Sequence, residues 1–453
     1  MTANATGDAR VRRRGRDGPL IAMMLVALGL RLLLILYFGY FNLGNEEGAT
    51  RPASALLPAH FHYSFGWEVG AIAHSLASGH GFSSPFGGST GPTAWIAPLY
   101  PALCALVFKC FGMFTPASGL VLLGLNSLFS ALTCIPICRI GELCLGRRVA
   151  LASGWVWAAG VTFTHWPTTW VWDIGASALL LTWLFWQTLQ LRERGEGTRW
   201  ARYGLWWGIA ALTNPALLSV LPAFGIYAAF PRWRSGQAWL RRVLLATVVF
   251  LAILAPWLVR NRMVLGHWVF IRSNAGFEFS MANYHNSTGT AWDGRHPSAN
   301  RREYQAYARL GELAYVHARG QQAWQFVRQY PREFAALVAF RCWAFWYGSF
   351  IHYSPVSVEP FPTWLFWPWS LLTWLGLIVM LVRRQPAAWL FLAAAVFYPL
   401  LYYFTVAATR FRHALEPLML LASMYFVLGA AADIASHFCK PGIRRAAAGG
   451  GGE

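Results

Sequence analysis

The sequence predicts an all-α, polytopic membrane protein with about ten transmembrane helices and further juxtamembrane helices on the outer side. Three observations predict it. Of 453 residues, 56% are hydrophobic and only 12% are charged. Several apolar runs approach or exceed the ~20 residues a helix needs to cross a hydrocarbon core. The basic residues, all but two of 37 being arginine, gather between those runs, as cytoplasmic connections do. A soluble chain would not bury 25 Trp and 31 Phe in a single core. The net charge of +19 is read as topology signals facing anionic lipid, not as a nucleic-acid surface, because the clusters alternate with the spans.

The elements follow in order. Residues 1–19 are polar and Arg-rich, and are expected to be disordered and cytoplasmic. The run 20–41 is too long for a signal-peptide core and lacks a small-x-small cleavage site, so it reads as a retained anchor. Arg10, Arg12, Arg13, Arg14 and Arg16 precede it and place the N-terminus inside. Putting the later clusters near 139–148, 192–202, 232–242, 383–384 and 440–445 inside as well gives spans near 20–41, 118–140, 148–166, 172–191, 202–213, 215–231, 240–259, 362–382, 388–407 and 413–434. Leu99–Phe111 then becomes a re-entrant or surface helix. The Thr213-Asn214-Pro215 break becomes an outer turn, since Pro removes a backbone donor and interrupts a helix. The chain thus divides into a core at 20–259 with a first outer loop at 42–117, an outer region at 260–361, C-terminal spans at 362–435 and a tail at 436–453 expected to be disordered and cytoplasmic. Within the outer region, Tyr304, Tyr307, Leu310, Ala314 and His317 fall at spacings of three and four, an amphipathic helix pattern. Gln329-Tyr330-Pro331 restarts a helix with Pro in its first turn.

Little in the chain matches metal or nucleotide chemistry. The seven cysteines read as small core residues, with no ligand spacing and no disulfide framework. There is no HExxH, DxD or P-loop pattern, and no metal is expected. What stands out is acid near span ends, where an ionisable group costs roughly 2.5–3.5 kcal/mol to insert. Glu68 has no basic residue within five positions. Burial there would raise its pKa and suit a general base; capping by Ser64 or pairing with an outer arginine is the structural alternative. Asp173, in "TTWVWDIGAS", is either a helix cap or a second functional carboxylate. Glu416 suits a helix N-terminus paired with Arg412, beside His413. Two arginine pairs break the positive-inside trend: Arg260 and Arg262 in "PWLVRNR", and Arg410 and Arg412 in "TRFRH". They are snorkelling anchors or the groups that would grip a lipid phosphate in the outer half of the bilayer.

In their order along the chain, an acid before "AHSLASGHGF", then "APLYPALCALVFKCFG", "CRIGELCLGRR", Asp173, "PWLVRNR", "YPREF" and "TRFRHALEP" resemble the GT-C integral-membrane glycosyltransferases that use polyprenyl-phosphate sugars. That group includes protein O-mannosyltransferases and the lipid A aminoarabinose transferase. The resemblance covers about residues 20–435; no single motif is specific, but the order is. The family's usual first-loop Asp-Glu reads Phe65-Gly66-Trp67-Glu68 here, so the base role is carried to Glu68 alone and Asp173 matches the second acid.

What the resemblance implies is transfer of a sugar from a polyprenyl-phosphate donor to a hydroxyl of a lipid, glycan or protein. The reaction would be an inverting displacement on the outer, periplasmic face of the plasma membrane. Arg260, Arg262, Arg410 and Arg412 would hold the donor phosphate, His413 and Glu416 would support them, and no cofactor beyond the lipid-linked donor is expected. Two alternatives stand beside this: a flippase or transporter of the lipid-linked sugar, and a relative that kept the fold without the catalysis.

Overall fold

A computed structural model describes residues 3–41, 65–193, 197–289, 294–348 and 365–438. Expectations placed on Ser64, on the rest of 42–64 and on the tail beyond Phe438 lie outside these. The described residues form helices joined by loops, with one β-bridge among them, Ser83 to Pro92.

The helices are α1 (Ala3–Phe38), α2 (Glu68–Ala77), α3 (Leu99–Phe111), α4 (Pro116–Leu132), α5 (Cys134–Cys144), α6 (Arg147–Ala159), α7 (Val161–Thr169), α8 (Ile174–Glu193), α9 (Gly197–Thr213) and, after a 3-10 turn at Pro215–Val220, α10 (Leu221–Arg234). Then come α11 (Trp239–Leu265), α12 (Ala275–Ser280), α13 (Arg301–Leu310), α14 (Glu312–Gln329), α15 (Pro331–Tyr347), α16 (Trp367–Val382), α17 (Ala388–Phe404), α18 (Thr409–Arg412) and α19 (Glu416–Phe438). Five segments among the described residues are long and apolar enough to cross a membrane: Asp17–Phe38, Pro116–Cys144, Ile174–Glu193, Pro215–Arg234 and Trp239–Leu265. The expected count of ten is therefore not reached by length and composition. Instead, α3, α16, α17 and the start of α19 are shorter apolar helices, and the expected span at 148–166 is split into α6 and α7 at Gly160.

Two local expectations change. The first helix begins at Ala3, so the stretch expected to be disordered continues α1; its alanines and arginines are strong helix formers. The amphipathic pattern at 304–317 is two helices, because Gly311 at φ 77° ends α13 before α14 starts. At 13 residues, α3 spans about 20 Å, well short of a bilayer core. It packs on α4, where the Tyr100 hydroxyl donates to Asn126 Oδ1 at 2.8 Å.

Apolar side chains on the outside of the bundle fit a lipid environment. Only 6% of the most apolar window of α11 is buried, and 22% of that of α1. The inside is polar in places. Arg31 of α1 is fully buried. Its guanidinium donates to the carbonyls of Ala27 (3.0 Å), Ala158 (2.9 Å), Trp157 (3.0 Å) and Phe163 (3.2 Å). Two of these belong to the last turn of α6, whose final carbonyls have no helical partner. Arg31 therefore closes the α6–α7 break from the side.

The break at Asn214 is real and has a second consequence. The Asn214 side chain accepts from the Ala216 amide at 3.1 Å, and its own amide donates to Ser177 Oγ at 3.1 Å. The C-terminal end of α9 and the N-terminal end of α8 thus meet at one end of the bundle.

Candidate functional site

That end is where the polar residues converge. α2 begins at Glu68, after a turn in which Gly66 (φ 77°) and Trp67 (φ 51°) are left-handed. Gly66 lies so close to the Trp170–Asp173 segment that a Cβ on it would sit 2.1 Å from the Val171 carbonyl oxygen. The same segment is held from its other side by Asn126, whose amide donates to the Trp170 carbonyl at 2.7 Å. One backbone contact therefore sets the two carboxylates, Glu68 and Asp173, relative to each other. Gly66→Ala combines the clash with a strained φ and should cost about 3 kcal/mol. A fall in the melting temperature of detergent-solubilised protein checks it; an unchanged melt would show that the loop can yield.

Glu68 is buried, and so is its partner: His296 Nε2 lies 2.9 Å from Glu68 Oε1. Burial alone would raise the pKa of Glu68, as the sequence reading expects. The contact with His296 outweighs it, with help from Arg272, and holds the carboxyl below its ordinary range. The expected direction is thereby reversed, because the sequence shows the apolar neighbourhood of Glu68 but not a histidine 228 positions away. The rings of Trp67, Phe86 and Phe277 stand edge-on around the imidazole, with centroids 5.9, 5.4 and 5.4 Å away.

Asp173 sits one residue ahead of the membrane-spanning Ile174–Glu193, at the N-terminal end of α8. Ser177 Oγ donates to its Oδ2 at 2.8 Å. Burial pushes the Asp173 carboxyl up to about 6, against the pull of Ser177 and Arg272. The folded pKa is above the unfolded one, so the folded chain binds the extra proton between about pH 4 and 6. Stability should thus rise as pH falls through that window, by about 2 kcal/mol from this group. Melting curves of wild type and Asp173→Asn between pH 7.5 and 5 check it: the wild type should gain more than the variant. Equal gains would assign the effect elsewhere.

Arg272, beyond the C-terminal end of α11, lies among these acids. Its Nε donates to the Trp95 carbonyl at 3.0 Å, and its terminal nitrogen reaches Glu278 Oε1 at 3.3 Å. It also acts electrostatically on Glu68, Asp173 and Tyr402. Glu278, in α12, is fixed by Asn274 Nδ2 at 2.8 Å. Its side chain stays 42% accessible, and the surrounding protein still pushes its carboxyl up, against the pull of Arg272. Arg410 of α18 faces the same group, with its guanidinium over the rings of Trp170 (5.0 Å) and Phe411 (4.9 Å).

The structure thus gathers Glu68, Asp173 and Arg410 of the residues singled out from sequence, and it adds His296, Arg272 and Glu278. It does not gather the rest. Arg260 donates to the carbonyls of Thr93 (2.6 Å) and Phe82 (2.7 Å), bracing the first outer loop. Arg262 is exposed and bonds the Gly266 carbonyl. Arg412 is 1% exposed. It is enclosed by Glu416 (3.3 Å), the Trp346 carbonyl (2.8 Å) and Ser370 (2.9 Å), while His413 Nδ1 lies 2.7 Å from the other oxygen of Glu416. These three residues join α15, α16 and α19. The one sequence signal for the missed residues is the Arg272–Glu278 pairing of opposite charges in "IRSNAGFEF"; nothing local marks His296.

No family model matches the chain, and neither does any curated relative. Among solved structures it is similar to the Archaeoglobus fulgidus oligosaccharyltransferase AglB in complex with an inhibitory peptide and a dolichol-phosphate. The two are 13% identical over 93% of this chain and 51% of that one, with a TM-score of 0.49. The apo form of the Archaeoglobus fulgidus oligosaccharyltransferase matches at 15% identity over 93% and 51%, with a TM-score of 0.47. ArnT from Cupriavidus metallidurans bound to undecaprenyl phosphate matches at 15% identity over 93% of this chain and 80% of that one, with a TM-score of 0.35. The chain spans about half the length of the oligosaccharyltransferases it resembles. AglB and ArnT are both GT-C glycosyltransferases.

Proposed function

We propose that this protein is a membrane glycosyltransferase that moves a sugar from a polyprenyl-phosphate donor to an acceptor hydroxyl on the outer face of the membrane. The observation that carries the reading is the meeting of two guanidinium groups, Arg272 and Arg410, with the carboxylates of Glu68, Asp173 and Glu278 at one end of a bundle of membrane-crossing helices. Arginine clusters in the connections at the opposite helix ends support placing that end outside.

The chemistry follows from the charges. Arg272 and Arg410 face the donor phosphate and stabilise the charge that grows on it. The acceptor oxygen attacks the anomeric carbon from the side opposite the phosphate. As the new C–O bond forms, the bond from the sugar to the phosphate oxygen breaks, and its electron pair leaves with the polyprenyl phosphate. The acceptor's proton passes to Glu68 and then to water. Asp173, set by Ser177, orients the acceptor, and Glu278 accepts from sugar hydroxyls.

The test is a purified preparation in lipid nanodiscs, given radiolabelled polyprenyl-phosphate hexose or pentose and an extract of membrane acceptors. Label covalently attached to acceptor is the expected result. In proteoliposomes, passage of the headgroup-labelled lipid across the bilayer with no covalent transfer would overturn the reading in favour of translocation.

A further inference from the structure

We infer that His296 is the positioning residue of Glu68: its proton is locked on Nε2, facing Glu68, so that Glu68 and not the histidine takes the acceptor's proton. This rests on the function proposed above, but the lock itself is independent of it.

The other ring nitrogen decides where the proton sits. The backbone N–H of Ser298 is directed at His296 Nδ1 at 3.2 Å, and the Ser298 hydroxyl meets the same atom. A peptide N–H can only donate, so Nδ1 must present its lone pair. The ring proton is therefore on Nε2, which is the nitrogen that faces Glu68 Oε1 at 2.9 Å. In a histidine base oriented by a carboxylate, one nitrogen donates to the acid and the other is left open to the substrate. Here the second nitrogen is closed off by its own loop. Its surroundings close it further, because His296 is 3% exposed and ringed by Trp67, Phe86 and Phe277. Among the described residues, Glu68 from α2 and Glu278 from α12 interact with it, and Arg272 from the loop before α12 acts on both of those acids.

The lock has a purpose that the carboxylate's burial makes clear. A buried Glu68 without a donor would hold its proton and could not act as a base. A fixed N–H on one oxygen keeps it ionised and sets the direction of the other.

Two measurements test this. Nitrogen-15 spectra of histidine-labelled protein, with His296 assigned by its absence in His296→Gln, should show protonated Nε2 and bare Nδ1 at pH 7. A proton on Nδ1 would overturn the inference, whether or not any sugar is transferred. In transfer assays His296→Leu should lose about 100-fold in kcat and move the acid limb of the pH profile up by about one unit, because burial is then opposed only by the weaker pulls of the backbone and Arg272. His296→Gln, whose amide can still donate to Glu68, should recover most of both. If His296→Gln is as inactive as His296→Leu, the imidazole itself is the proton acceptor and the inference fails. If the wild type transfers no sugar, the proposed function fails and the spectra alone decide the lock.

Discussion

Glu68→Gln is expected to slow sugar transfer by about 10²–10⁴-fold, the usual worth of a positioned general base. The substitution keeps shape and volume, and its amide oxygen can still accept from His296 Nε2, so the buried pair stays satisfied. What it removes is the ability to take a proton. Binding of the donor should be spared, because the phosphate is assigned to Arg272 and Arg410 and not to this side chain. The expected signature is a collapse of kcat with little change in KM for the lipid-linked sugar and an unchanged melting temperature. Undiminished transfer would remove Glu68 from the mechanism. A loss confined to KM would recast it as a binding group.

The second large effect is expected far from the chemistry. Arg31→Met should destabilise the folded protein by about 3–5 kcal/mol, since each buried acceptor left without its donor costs ~1–3 kcal/mol. The side chain would still fill space, but the carbonyls of Trp157, Ala158 and Phe163 would lose their donor. In the bilayer interior no water replaces it. Arg31→Lys should recover only part of the loss, since an ammonium is a point donor and the guanidinium spreads over four carbonyls. Melting of detergent-solubilised variants checks this. A Met variant as stable as wild type would mean that the α6–α7 break rearranges to satisfy itself.

The sequence shows its spans because apolar length is a local signal, and so is the Pro215 break, which lacks a backbone donor wherever it is placed. The two acids also stand out, since a carboxylate beside Trp67 or among Trp170, Trp172 and Ile174 is unusual anywhere. What stays hidden is which charge meets which. Arg260 and Arg412 look like free cations in the chain, yet each is taken up by carbonyls or acids that no periodicity reports. His296 lies in a loop 228 positions after Glu68, and Arg272 draws its importance from three acids contributed by three separate segments. The pKa of Glu68 follows from that tertiary pairing, which is why reading its neighbours alone gives the opposite direction.

The buried Glu312 carries a consequence for how the protein is made. Its carboxylate receives the Ala94 amide at 2.8 Å, the Ser273 hydroxyl at 2.6 Å, the Tyr307 hydroxyl at 2.8 Å and the hydroxyl of Thr93. Thr93 precedes it by 219 residues, an interval of ~10–40 s at ribosomal speeds of about 5–20 residues per second. For nearly all of that time the first loop has been translated but lacks its anchor, and Phe86 and Trp95 lack the ring of Tyr307, which lies 4.9 and 5.7 Å from theirs in the finished protein. The first loop therefore stands without its Glu312 anchor until synthesis has passed residue 312.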